Sequence, residues 1–133
     1  MTEEIRVRQL LEGKDNKIHS IPPDITVFDG LKVLSEARIG AALVMDKSKL
    51  VGMFSERDYA RKIVLQGRSS KDTKISEIMT TNVSHVSPDE SVKECMRMMT
   101  KNRFRHLPVM EGGTIVGVIS IGDVVRAILM SLL

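Results

Sequence analysis

One stretch of this chain occurs twice, and no other feature narrows the fold so far. Ile21-Pro22-Pro23-Asp24 returns 65 positions later as Val86-Ser87-Pro88-Asp89, and the register then runs ungapped to Ile128. It pairs Val27 with Val92, Arg38 with Arg103, Val44 with Val109, Met45 with Met110 and Arg61 with Arg126. It also pairs Gly52 with Gly117, Ser55 with Ser120 and Asp58 with Asp123. Chance does not place that many identities in one alignment, so the chain is an internal duplication. One copy is too small to bury a stable core alone. Two copies packed sheet against sheet would bury their apolar faces and create an approximate two-fold axis, with two related clefts.

Within each copy the pattern predicts strand–helix–strand–strand–helix. Ile18 to Ile21 is a brief strand closed by Pro22-Pro23, and Thr26 with Asp29 predicts a helix N-cap. Val27, Leu31 and Leu34 line one face of that helix, which ends near Arg38-Ile39-Gly40. Ala41 to Met45 is a fully apolar run, the mark of a strand buried on both faces. Asp46-Lys47-Ser48-Lys49 turns the chain into a second strand, Leu50 to Phe54, and a helix follows from Ser55 through Val64. The second copy repeats the amphipathic helix as Val92, Cys95, Met96 and Met99, a stripe read as core because no metal-spaced partners accompany it. The resulting division is residues 1–17 as a lead-in helix, 18–66 as repeat one, 67–74 as linker and 75–133 as repeat two. The lead-in carries Val7, Leu10 and Leu11 at helical spacing before the turn at Gly13-Lys14-Asp15-Asn16.

Composition removes several classes of function. Among 133 residues the chain has 42% apolar and 28% charged side chains, the balance of a soluble globular protein. No apolar run nears the roughly 20 residues that span a bilayer, and the first residues lack signal-peptide features, so a cytoplasmic protein is expected. A single cysteine, Cys95, fits a reducing compartment. The net charge of +3 is scattered, and 3% aromatic residues leave few stacking platforms for nucleic acid.

The chemistry concentrates at the paired turns Gly52-Met53-Phe54-Ser55-Glu56-Arg57-Asp58 and Gly117-Val118-Ile119-Ser120-Ile121-Gly122-Asp123. Each ends an apolar strand and opens a helix with a hydroxyl and, three residues on, a carboxylate. Such a turn can present backbone N–H groups and the helix dipole to a phosphate or ribose oxygen. Ser-x-x-Asp is equally a capping box that satisfies only the helix's own donors. From one copy the two readings stand side by side.

These residues resemble the tandem cystathionine-β-synthase (CBS) domain pair, or Bateman module, over about Ile18 to Ile128. The similarity rests on the paired glycine–hydrophobic–Ser-x-x-Asp turns, the Pro-Asp before each first helix, Arg105-His106-Leu107-Pro108-Val109, and Glu77-Ile78-Met79-Thr80. With no catalytic domain attached, the chain is most similar to small stand-alone CBS pairs. The resemblance implies an α/β (α+β) fold of two βαββα repeats packed by their sheets with pseudo-two-fold symmetry. It also implies adenosine-containing ligands: AMP, ADP or ATP, and in some members NAD or S-adenosylmethionine. By this resemblance Asp58 and Asp123 accept the ribose hydroxyls, a task suited to an acceptor-only group. Ser55 and Ser120 stand beside the ribose or phosphate at the helix starts. The stretches Ile18 to Ile21 and Val83 to Val86, with Ser20, Ile21, Ser84 and His85, hold the adenine together with strand positions such as Ala41 and Pro108. Arg105 and His106 occupy positions that in the first copy are Gly40 and Ala41. The cleft joining Ser55 and Asp58 to Arg105 and His106 is therefore expected to be the better phosphate site, and the Asp123 cleft to lack a cation.

Each remaining candidate has a plainer reading beside the functional one. His106 is equally a structural histidine, His85 an ordinary strand residue, and Arg57 either a phosphate contact or a solvated first-turn residue. Arg61 and Arg126 read as surface or ion-pair residues. His19 has Ser84, not a histidine, as its counterpart. No nucleophile–base pair, metal cluster or phosphate loop is present in the pattern, so a non-enzymatic regulatory energy sensor with an unidentified effector is expected. Ile121, Val124, Val125, Ile128, Leu129 and Leu132 form a wide apolar helix face, which predicts a homodimer through the helices. An NAD(H) module and a ligand-free structural dimer are the alternatives.

Overall fold

The computed structural model describes residues 4–133. These fall into two compact units: His19–Val83, and the N-terminal residues through Ile18 together with Ser84–Leu133.

The first unit opens with β1 (Ser20–Ile21), α2 (Val27–Ala37), β2 (Ala41–Asp46) and β3 (Lys49–Ser55). The first helix of the chain, α1 (Val7–Glu12), belongs to the other unit. β1 runs parallel to β2, with Ser20 opposite Leu43, and β2 runs antiparallel to β3. Thr26 caps α2 by accepting the Asp29 N–H at 3.1 Å, and Arg38 ends it in the left-handed region at φ 56°. α3 (Glu56–Tyr59) continues into a π-helical turn over Ala60–Val64, and α4 (Ile75–Ile78) closes the unit. Ile21, Val27, Leu34, Ala42, Val44, Phe54, Ile63, Ile75 and Ile78 form its core.

The second unit contains α1, α5 (Val92–Asn102), β4 (His106–Glu111), β5 (Thr114–Ser120) and α6 (Ile121–Ser131). Its sheet has two strands, because the counterpart of β1 is reduced to one parallel bridge, Val86 to Val109. Ser84 and His85 are exposed there, and Val86 alone bridges to β4, its N–H donating to Pro108 O at 3.0 Å and its carbonyl accepting Met110 N–H at 2.9 Å. Gly112 and Gly113, at φ 60° and 80°, make the β4–β5 turn, where both positions need left-handed backbone.

The compact units do not follow the repeat boundaries. α4, read from sequence as the opening of repeat two, supplies Ile75 and Ile78 to the first unit's core. α1 does the same for the second unit through Val7, Leu10 and Leu11. The two docking modes match bond for bond. Ile75 N–H donates to Ile25 O and Ser76 N–H to Pro23 O, each at 2.9 Å. Val7 N–H donates to Glu90 O at 2.9 Å and Arg8 N–H to Pro88 O at 2.8 Å. In return the first N–H of α2, Val27, meets Thr73 O, and that of α5, Val92, meets Ile5 O, both at 2.8 Å. A helix start leaves such donors unpaired, and each lead-in satisfies one. The duplication thus extends to the lead-ins, with Val7 and Ile75 as counterparts 68 positions apart, both fully buried.

The cores differ by a compensating exchange. Gly30 and Phe54 in the first unit stand where Cys95 and Ile119 stand in the second, and Phe54, Cys95 and Ile119 are all fully buried. A small helix residue accommodates a large strand residue in one copy and the sizes even out in the other, as close packing requires.

Candidate functional site

Both Ser-x-x-Asp turns form complete capping boxes. In the first unit, Asp58 N–H donates to Ser55 Oγ at 3.2 Å and Ser55 N–H donates to Asp58 Oδ2 at 3.0 Å. In the second, Asp123 N–H donates to Ser120 Oγ at 3.2 Å and Ser120 N–H to Asp123 Oδ2 at 2.8 Å. The strand before each turn sets its position. Ala41 lies opposite Ser55 in the β2–β3 ladder, and His106 lies opposite Ser120 in β4–β5. The first helical N–H of each turn is bonded in the same way, Glu56 to Gly40 O at 3.0 Å and Ile121 to Arg105 O at 2.8 Å.

The two carboxylates nevertheless differ in what already holds them. Asp58 is 8% exposed. Its Oδ2 accepts the Ser55 N–H and also the Ser55 hydroxyl at 3.0 Å. Its Oδ1 accepts the Thr80 hydroxyl at 3.1 Å and lies 3.2 Å from Lys62 Nζ. A carboxylate has about four lone-pair sites. Asp58 has a donor at each, so a ribose there has to displace Thr80, Lys62 or the serine hydroxyl. At Asp123 the Oδ2 accepts Ser120 N–H and Lys14 Nζ, both at 2.8 Å. The exposed Arg126 guanidinium lies 3.8 Å from Oδ1. This oxygen retains capacity for a further donor. Burial pushes the Asp123 carboxyl upward, but the bonds from Lys14 and Ser120 outweigh it and hold the group below its ordinary range.

Lys14 also changes the electrostatic expectation. The sequence pattern left the Asp123 site without a cation, yet an ammonium from the lead-in stands on that carboxylate. His106 is half-buried in the same unit, and burial pushes its pKa down, opposed by Asp123 and assisted by Lys14 and Arg105. The second unit therefore groups His106, Ser120, Asp123 and Lys14. The first groups Ala41, Ser55, Asp58, Lys62 and Thr80.

The other expected residues are placed as follows. Ser20 is exposed, whereas Ile21 is 2% exposed and lies in the core, so only its backbone is left to line a site. Ser84 and His85 are exposed ahead of the Val86 bridge. Pro108 is buried and its carbonyl accepts the Val86 N–H at 3.0 Å. Arg105 is exposed, and Arg57 is half-buried on the first turn of α3. Sequence reasoning missed Lys62, Thr80 and Lys14. Lys62 follows Asp58 by four residues, a spacing that marks a helical ion pair. Lys14 carries no local signal, since its partner lies more than a hundred residues along the chain.

Comparison with known proteins agrees with this architecture. Residues 7–65 and 75–130 match the family model described as CBS domain. The chain is 44% identical over 110 residues to the Arabidopsis thaliana CBS domain-containing protein CBSX3, mitochondrial, covering 79% of this chain and 53% of that one. It thus spans about half of that relative's length. A solved protein with CBS domains from Burkholderia ambifaria superposes with a TM-score of 0.91 at 46% identity, over 94% of each chain. The CBS domain pair of protein MJ0100, solved in complex with 5′-methylthioadenosine and S-adenosyl-L-methionine, superposes with a TM-score of 0.84 at 25% identity. That match covers 96% of this chain and 98% of the other. No helix among the described residues is long and apolar enough to cross a membrane.

Proposed function

From the premise that this chain belongs to the CBS domain family, we propose that it is a regulatory module that binds adenine nucleotides, AMP, ADP or ATP, without turning them over. The observation that carries this reading is the Asp123 carboxylate. It is only partly buried, is held below its ordinary carboxylate range, is set at the opening of an eleven-residue helix, and its Oδ1 lies 3.8 Å from the exposed Arg126 guanidinium, beyond hydrogen-bond reach. A ribose hydroxyl is the donor it suits. The relative that holds two adenosine compounds supports the ligand class, because adenosine is the part those compounds share. Regulation follows from differential affinity: a nucleotide that binds one arrangement of the module better draws the population towards it.

Titration calorimetry with AMP, ADP, ATP and NADH tests the proposal, with Asp123→Asn as the control. Asparagine keeps the shape and one acceptor but loses the charge, so affinity at this site falls about tenfold, the loss of one charge-assisted hydrogen bond. Nucleotide at one hundred times its dissociation constant raises stability by about 2.7 kcal/mol. If Asp58→Asn with Asp123→Asn binds as well as the unaltered protein, the turns are caps and nothing more. Tighter NADH than AMP binding moves the reading to a dinucleotide.

A homodimer belongs to the same proposal. Ile121, Val124 and Ile128 of the expected apolar face pack into the second unit's own core, which leaves Val125, Leu129 and Leu132 outside, and Met130, not expected on that face, is exposed beside them. Leu129 and Met130 are 58% and 62% exposed, and their counterparts in the first repeat, Val64 and Leu65, are 55% and 79% exposed. Both repeats thus present the same apolar pair to a second copy. Sedimentation equilibrium should give a dimer that Leu65→Lys with Leu129→Lys converts to monomer.

A further inference from the structure

Each carboxylate meets an ammonium that also bonds a backbone carbonyl, Lys62 at Asp58 and Lys14 at Asp123, but the segments that carry those lysines are anchored differently, and the difference has a functional consequence. In the first unit Thr80 is locked to β3 through its backbone, its N–H donating to Met53 O at 2.8 Å and its O accepting Met53 N–H at 2.9 Å. From that fixed position its hydroxyl reaches Asp58. In the second unit Val118 is the counterpart of Met53, and no backbone bond reaches it from the lead-in among the described residues. One ammonium does both tasks instead: Lys14 Nζ donates to Val118 O and to Asp123 Oδ2, each at 2.8 Å. Beyond Gly13 the lead-in's other hydrogen bonds among the described residues are local, with Lys17 N–H donating to Asp15 Oδ1 and Asn16 Nδ2 to Leu11 O. Among the described residues the stretch from Gly13 to Lys17 is therefore hydrogen-bonded to the strand and carboxylate of the second unit through Lys14, itself 29% exposed, with Asn16 packed beside Gly117.

We infer that Lys14 is a ligand-displaced latch, its ammonium occupying the Asp123 carboxylate in the free protein and leaving it when a ribose binds. The inference rests on the adenosine reading of that site. A vicinal diol spans a carboxylate with one hydroxyl on each oxygen; Oδ1 of Asp123 can take one, but Oδ2 already carries Lys14 and the Ser120 N–H. The serine N–H is fixed by the helix start, so the lysine is the donor that yields. Its departure exposes only a strand carbonyl and an ammonium that water can solvate. Release of Lys14 frees residues 13–17, the segment that runs on into β1 of the first repeat. Occupancy of the second carboxylate is thereby converted into freedom of the connection between α1 and β1, while at Asp58 the corresponding ammonium, Lys62, bonds Ile78 O at 2.9 Å from four residues along the same helix, so its departure frees no connecting segment.

Lysine acylation footprinting of the unaltered protein tests this, with and without AMP and with the site of modification read by mass spectrometry. The latched ammonium reacts slowly, and AMP is expected to raise Lys14 acylation about fivefold, the range of a partly exposed ion pair, while exposed Lys32 is unchanged. Lys14→Met in an Asp58→Asn background, where the second carboxylate alone is read, should tighten AMP by the same factor. AMP that binds but protects Lys14, together with weaker binding by Lys14→Met, makes the lysine a ligand contact and overturns the latch alone. Binding with no change in Lys14 reactivity overturns it also. No AMP binding by either protein overturns the adenosine reading and the latch together.

Discussion

Gly52 and Gly117 occupy equivalent positions in the two repeats, yet alanine at the two should have unequal effects. A β-carbon on Gly52 would lie 2.8 Å from Thr80 O and 2.8 Å from Met79 Sδ. The sulfur can move aside, but the carbonyl cannot, since it accepts Met53 N–H at 2.9 Å and belongs to the residue whose hydroxyl holds Asp58. Relieving the clash pulls Thr80 from β3 and threatens two backbone bonds and one bond to a charged group. Overpacking costs about 1–3 kcal/mol, and loss of these bonds places Gly52→Ala at the upper end, about 3 kcal/mol. At Gly117 the added carbon meets only the terminal Leu11 Cδ2 at 2.8 Å and Asn16 Oδ1 at 3.5 Å. A leucine methyl can rotate away, and the gain of about 0.4–1 kcal/mol from a stiffer unfolded chain offsets the remainder, so Gly117→Ala is near neutral. Urea unfolding at equilibrium reads both, the difference appearing in the midpoint with an unchanged slope. Equal losses within about 0.5 kcal/mol would refute the claim that backbone anchoring distinguishes the two lead-ins.

Three further outcomes follow from packing and protonation. Gly30→Cys puts a carbon 2.7 Å from Ile75 Cδ1 and 3.2 Å from the Phe54 ring, and should cost about 2 kcal/mol; adding Phe54→Ile, which copies the second repeat, should recover at least half in a double-mutant cycle. Because the folded state depresses the His106 pKa, the unfolded chain takes the proton first, so stability is full above about pH 6.5 and declines as pH falls below it; thermal unfolding of His106→Asn should lack that decline. Asp123, whose folded pKa is lowered, adds its own loss of stability as pH falls through the ordinary carboxylate range, near about 4. Cys95 is fully buried and its thiol is pushed up to about 11, so a disulfide reagent should label it only at the rate of unfolding; fast labelling of the native protein would show that the α5 core opens locally.

Much of this protein is written locally. The caps at Thr26, Ser55 and Ser120, the turn at Lys47 and the apolar strands rest on residues within a few positions of one another, and the 65-residue repeat exposes them twice. Chain order alone therefore decided the element types, the duplicated architecture and the two carboxylates at helix starts, because hydrogen bonds of three- and four-residue reach and alternating burial leave their mark in adjacent letters. Tertiary structure decided which lead-in seals which core, why Gly30 tolerates Phe54, and that Asp58 is saturated while Asp123 keeps one oxygen open and shares the other with Lys14. Those outcomes depend on side chains that meet only after distant segments dock, and a contact of that kind imposes no spacing for a reader of the chain to find.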